Sequence, residues 1–214
     1  MRLIKTSTYS PITALTTAFN AQTFTSTGAA TAPTTTATTD LLAHLVTFTS
    51  PVQATLAGIT FTIVGTDSDD KAQTETGITG PASNSTVTST KYFKTITTVQ
   101  PSATMGGLVV SIGVAAASVS PTVVLDRRSN IAALVDADIS GTINYTLQET
   151  YDNIFDIAPS AADWGSYSTA FSAKTATVAA QVTVGACAVR FLTNTVTNGA
   201  TYLMRISQPA NPTA

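Results

Sequence analysis

The chain has 214 residues, of which only 10% are charged, with 10 Lys and Arg set against 12 Asp and Glu and a net charge of −2. The isoelectric point near 5.1 gives no basic field for neutralising phosphates, which argues against nucleic acid as a partner. Apolar stretches are broken by Thr, Gln or Gly well before the ~18 residues that a spanning helix requires, which argues against a membrane partner.

Threonine takes the place of the missing charge, at about a fifth of the chain. A β-branched residue loses χ1 freedom in helices and packs well on a pleated surface, so this composition favours strands. Low charge fits either a polar uncharged surface or one that meets other subunits, because charges are depleted at the centres of protein interfaces. Met1-Arg2-Leu3-Ile4-Lys5 is followed by Thr-Ser-Thr-Tyr and not by an apolar run, so no signal peptide is expected. Cys187 is the one cysteine, which excludes an intramolecular disulfide and fits a reducing cytoplasm. The sequons at Asn84 and Asn144 are therefore read as chance matches.

Residues 1–40 have no sustained apolar period and include the threonine-rich run Thr31 to Thr39, so they are expected to form an extended arm. Its scattered Leu3, Ile4, Tyr9, Ile12, Leu15, Phe19 and Phe24 would let it lie along a neighbouring surface or cap the chain's own sandwich. From Leu41 the pattern changes to strands. Ile59, Phe61 and Ile63 alternate with Thr60, Thr62 and Val64, and Gly65 to Asp70 supplies the turn of a hairpin returning through Gln73 to Thr76. Val87, Tyr92, Phe93, Ile96 and Val99, then Leu108, Val110, Ile112 and Val114, complete a first β unit over 41–119.

Ala115 to Pro121 bridges to a second unit, 120–214. There Ile131 to Ile139 and Ile143 to Leu147 each keep one parity around Ser140-Gly141, which predicts a hairpin. A loop rich in Asp and aromatics runs from Tyr151 to Lys174. Strands are expected at Thr177 to Val184 and Ala188 to Leu192, with Asn198-Gly199 turning a last hairpin before Tyr202, Met204 and Ile206. No segment carries a helical stripe. The fold class expected is all-β, as two small β-sandwich or jelly-roll-like units preceded by an extended N-terminal arm.

Chemistry-bearing residues are few. His44 is the one histidine, so a histidine-rich metal site cannot be built and any triad would depend on it; a packed or surface histidine is expected. Cys187 sits in an apolar strand setting that would raise a thiol pKa and is read as core filling. Asp67, Asp69 and Asp70 raise the question of calcium, but the Gly and the distal acid of an EF-hand loop are absent and Lys71 opposes them. Asp152, Asp156 and Asp163 flank Phe155, Trp164, Tyr167 and Phe171 in a way that superficially suits a glycan, with loop solvation and an aromatic anchor the preferred alternative. Asp126-Arg127-Arg128, the densest charge cluster, is either a local pair or a contact to an acidic neighbour. No catalytic, metal or cofactor site is expected.

Two stretches carry a resemblance. Ile59-Thr-Phe-Thr-Ile-Val-Gly-Thr-Asp67, with Gln73-Thr-Glu-Thr, Gly80-Pro81 and Thr88-Ser-Thr-Lys91-Tyr-Phe-Lys-Thr-Ile96, resembles a pattern in tailed-bacteriophage virion proteins, where a "GTD" hairpin precedes "ETITGP" and "STKxFKTV". Val123 to Arg127, Gly141 to Gln148 and on to Phe155, then Val189-Arg190-Phe191 and Asn198-Gly199, are similar to the second half of the same proteins; residues 160–174 depart from it. Over 59–208 the resemblance implies a virion structural role made in the host bacterial cytoplasm, with the major capsid protein or other virion subunits as partners and a homo-oligomer in the particle. A capsid decoration or cement protein stabilising the head is the first expectation and a neck or tail component (adaptor, collar or attachment protein) the second. A carbohydrate-binding or hydrolytic tail protein would rest on the 151–174 loop alone.

Overall fold

The computed structural model describes residues 2–19, 21–23, 33, 35–50, 56–105, 108–126, 132–166, 168–182 and 185–208. It is all-β. In chain order the strands are β1 (Arg2–Tyr9), β2 (Ala21–Thr23), β3 (Ala43–Thr49), β4 (Thr60–Thr66), β5 (Ala72–Thr79), β6 (Thr86–Phe93), β7 (Thr95–Pro101) and β8 (Val109–Val119). They continue as β9 (Val123–Val124), β10 (Leu134–Ser140), β11 (Ile143–Thr150), β12 (Gly165–Ser166), β13 (Val178–Gln181), β14 (Ala188–Val196) and β15 (Thr201–Gln208), with one helical turn, α1 (Ser168–Phe171), before β13.

The chain divides into two compact units, Ala14–Ser118 and a discontinuous unit of Met1–Thr13 with Val119–Ala214. In the first, β8, β3 and β6 form one sheet, extended by β2 on β8, and β5-β4-β7 form the other. The alternation read at Ile59 to Val64 is the burial pattern of β4, where Phe61 and Ile63 are fully buried. Phe61 stacks on Phe48 of β3 at 4.5 Å, so the two sheets face each other across an aromatic contact. The expected hairpin is present as β4 and β5, antiparallel from Thr60↔Thr79 to Thr66↔Ala72 with a bulge between Phe61 and Ile63. Residues Leu15 and Thr16 lie so close over β8 that a Cβ on Gly113 would sit 2.0 Å from the Leu15 carbonyl oxygen, a place only glycine fills.

The discontinuous unit has β1-β15-β10-β13 as one sheet and β12-β11-β14, with β9 on β14, as the other. Val135 and Ala137 from the first sheet and Ile143, Tyr145, Leu147 and Phe191 from the second bury into one core with Tyr202, Met204 and Ile206. This is a β-sandwich.

Three expectations are corrected here. Residues 1–40 are not one extended arm: Arg2–Tyr9 is an edge strand paired with β15 from Arg2↔Gln208 to Tyr9↔Tyr202, and Leu15 and Phe19 bond to β8. Ladder hydrogen bonds come from the backbone, so a segment without an apolar period still makes an edge strand. The turns at Ser140-Gly141 and Asn198-Gly199 do not close hairpins, because β10 pairs with β15 and β11 with β14. Each turn carries the chain from one sheet to the other. Both arrangements give the same inward parity, so alternation alone cannot separate a hairpin from such an arch. The two arches abut, with the Thr197 N–H donating to the Thr142 carbonyl at 3.0 Å. Gly141, at φ +84°, leaves room for Ala200, which an added Cβ would approach to 2.8 Å. Ile131 and Val184 lie outside the described residues.

Candidate functional site

His44 is fully buried on β3 and has the geometry of an acid–histidine pair. Its Nε2 lies 2.9 Å from Asp40 Oδ2, and its Nδ1 lies 2.9 Å from the carbonyl oxygen of Ala115 on β8. A carbonyl oxygen only accepts, so Nδ1 carries a hydrogen. Asp40 Oδ1 accepts from the Thr38 hydroxyl at 2.8 Å and the Leu42 N–H at 3.2 Å. A general base needs a nitrogen within reach of a substrate, and here both ring nitrogens are taken by the protein. The pair ties the segment before β3 to β8. Sequence reasoning missed Asp40, although its spacing of four from the one histidine is a signal.

The acidic turn is built by Asp67, which is 3% exposed and accepts the N–H groups of Asp69 (2.9 Å) and Lys71 (3.0 Å) on Oδ1. Asp70 pairs with Lys94 at 2.8 Å, and Asp69 accepts the Ser68 hydroxyl at 3.1 Å. These are the contacts of a capped turn. Among the described residues no group of three or more His, Cys, Asp or Glu side chains is arranged to hold a metal ion.

The two motif segments meet where β5 approaches β6. Glu75 Oε1 accepts the Thr90 N–H (2.8 Å) and hydroxyl (3.0 Å), and Oε2 accepts the Lys91 N–H (2.9 Å). Gln73 donates to the Tyr92 carbonyl and Lys91 Nζ to the Thr74 carbonyl, both at 2.8 Å. Two sheet edges are thus clasped by side chains, charge-assisted at Glu75. A groove of about 560 Å³ runs between them, lined by Thr74, Thr76, Ile78, Val87 and Thr88 among others.

The acidic and aromatic loop lies in the discontinuous unit, and its described rings have different surroundings. Phe171 is fully buried; Trp164 donates from Nε1 to the Pro159 carbonyl at 2.7 Å and is covered by the Arg190 guanidinium 4.1 Å from its ring centre. Arg190, itself held by Gln148 Oε1 at 2.8 Å, carries no signal of this role in the sequence. Tyr151 and Phe155 are exposed, while Tyr167 lies outside the described residues. Asp152 Oδ2 accepts the Asp163 N–H at 2.7 Å and Asp156 bonds to Asn153, so these acids close and brace the loop. Cys187 is buried, its thiol donating to the Tyr151 carbonyl at 2.9 Å. Asp126 exchanges backbone bonds with the Gln208 amide at 2.9 and 3.0 Å, whereas Arg127 and Arg128 lie outside the described residues.

The class defined by these features is an all-β protein of two sandwich units whose polar side chains brace turns and sheet edges. No protein-family model, curated protein or solved structure matches the chain.

Proposed function

We propose that the chain is a non-enzymatic structural subunit of a tailed-bacteriophage virion, a capsid decoration or cement protein that stabilises the head. The observation that carries this reading is the distribution of exposed apolar surface. Tyr151 (55%), Phe155 (78%) and Ile157 (39%) stand out within seven residues of one hydrogen-bonded loop, on a chain with 10% charged residues. Exposed apolar side chains this close in sequence on a charge-poor body suit burial against a neighbour. The motif resemblance at Ile59 to Ile96 supplies the virion context, and its residues serve the β4–β5 hairpin and the Glu75 clasp.

The test is an add-back. Particles assembled without this protein are mixed with purified full-length chain, and bound copies are counted at saturation. Binding at on the order of hundreds of copies, with the heads surviving higher temperature, fits a shell protein; saturation at about six or twelve copies moves the protein to the neck or tail. No binding to any particle removes the virion reading.

A further inference from the structure

We infer that the loop 151–163 is a preformed docking element with Phe155 as its anchor, and that its occupant is an apolar pocket edged by basic side chains on a different protein. The loop is shut at its base by the Asp163 N–H on Asp152 Oδ2 (2.7 Å) and by the Asp152 N–H on the Thr150 hydroxyl (3.1 Å). Inside it, the Asn153 carbonyl accepts from Asp156 and Ile157, both at 2.9 Å, and the Ala158 carbonyl accepts from Ala161 (2.8 Å) and Ala162 (3.1 Å). The Cys187 thiol and the Trp164 indole hold it at two further points, the Tyr151 and Pro159 carbonyls. A compact loop held by its own bonds loses little entropy on docking. Nothing in this bracing uses the ring of Phe155, which at 78% exposed is the most exposed large hydrophobic side chain among the described residues.

Charge selects the partner. Residues 151–163 contain Asp152, Asp156 and Asp163 and no Lys, Arg or His, so the loop's own charge is negative and fits a basic edge. A two-fold contact between loops of two copies would set these acids against one another. The chain's own cations are also partly committed: Lys94 to Asp70, Arg205 to Asp136 and Arg190 to the Trp164 ring.

The inference rests on the proposed virion role only in expecting the partner inside the particle. Phe155 of the full chain is replaced by p-benzoylphenylalanine, infected cells and purified particles are irradiated, and the adduct is mapped; the wild-type chain is sought in particles separately. A link to one apolar site flanked by Lys or Arg on another protein supports the inference. Links to a second copy or to a glycan, or no link, overturn it. If the chain is absent from particles and the link still forms, the virion role falls and the inference stands; if the chain is present and no link forms, the reverse holds. On the protein so found, Phe155→Ala should weaken binding about thirtyfold, mainly through faster dissociation, with the thermal midpoint unchanged. Asp163→Lys, which leaves the Asp163 N–H on Asp152 in place, should chiefly slow association. Affinity unchanged in Phe155→Ala would also overturn the proposal.

Discussion

At the scale of single residues, the polar groups with the most specific surroundings are braces. Tyr145 is fully buried in the discontinuous unit, donates to the Ala176 carbonyl at 3.0 Å, and has its phenol pushed up from 10.0 to about 12 by burial, with the charge of Asp136 adding to it. A folded pKa above the unfolded one means that the unfolded chain releases its proton first. Stability should therefore hold up to about pH 10 and fall between about pH 10 and 12, by roughly 3 kcal/mol from this group. Urea midpoints taken across that range should show a shallower fall in Tyr145→Phe than in the wild type; equal slopes would dissociate the fall from Tyr145. His44 invites a different test. Removing its ring leaves the Asp40 carboxylate buried without its imidazole partner, so His44→Ala should cost about 3 kcal/mol in chemical denaturation. A loss under about 1 kcal/mol would mean the pair is not a strut.

At the scale of elements, alternation made β4, β8, β11 and β15 legible, because buried positions such as Phe61, Ile112, Tyr145 and Met204 recur at period two. What alternation does not carry is the identity of the neighbour. Gly141 and Asn198-Gly199 marked real turns, but whether each turn stays in its sheet or crosses the core depends on backbone pairing between β10 and β15 and between β11 and β14, partners far apart in the chain. β1 was illegible for a related reason: its pairing with β15 joins the two ends of the described chain. The site residues behaved in the same way. Asp67 to Asp70 were visible as a turn because the capping bonds of Asp67 are local, whereas Glu75 and Arg190 act through Thr90, Lys91 and Trp164 on other segments. The pairing of β1 can be tested by removing it. A chain of residues 14–214 bares the edge of β15 and loses the Tyr9–Tyr202 ring contact at 5.1 Å. Its thermal midpoint should drop by about 5 °C or more and it should aggregate with rising concentration. An unchanged midpoint in a monodisperse sample would restore the reading of this segment as part of an extended arm.

At the scale of the whole molecule, composition ranks the forces that would hold the chain to neighbours in the proposed virion role. With 10 basic and 12 acidic residues in 214, strong ion pairs are scarce, so attachment should rest on apolar burial and backbone bonds. Salt at ~1 M shortens the Debye length to about 3 Å and should release little protein from purified particles, while urea or guanidinium should release it. Release by salt with resistance to mild urea would reverse that ranking and make Asp126-Arg127-Arg128 the first contact to mutate. The proposal that this is a virion subunit is tested most directly by quantitative mass spectrometry of gradient-purified particles against their major capsid protein. Peptides of this chain are expected at a fixed ratio to that protein, on the order of hundreds of copies per particle in a symmetric shell. Purified infectious particles with no peptide of the chain, while the infected cell contains it, would contradict the proposal.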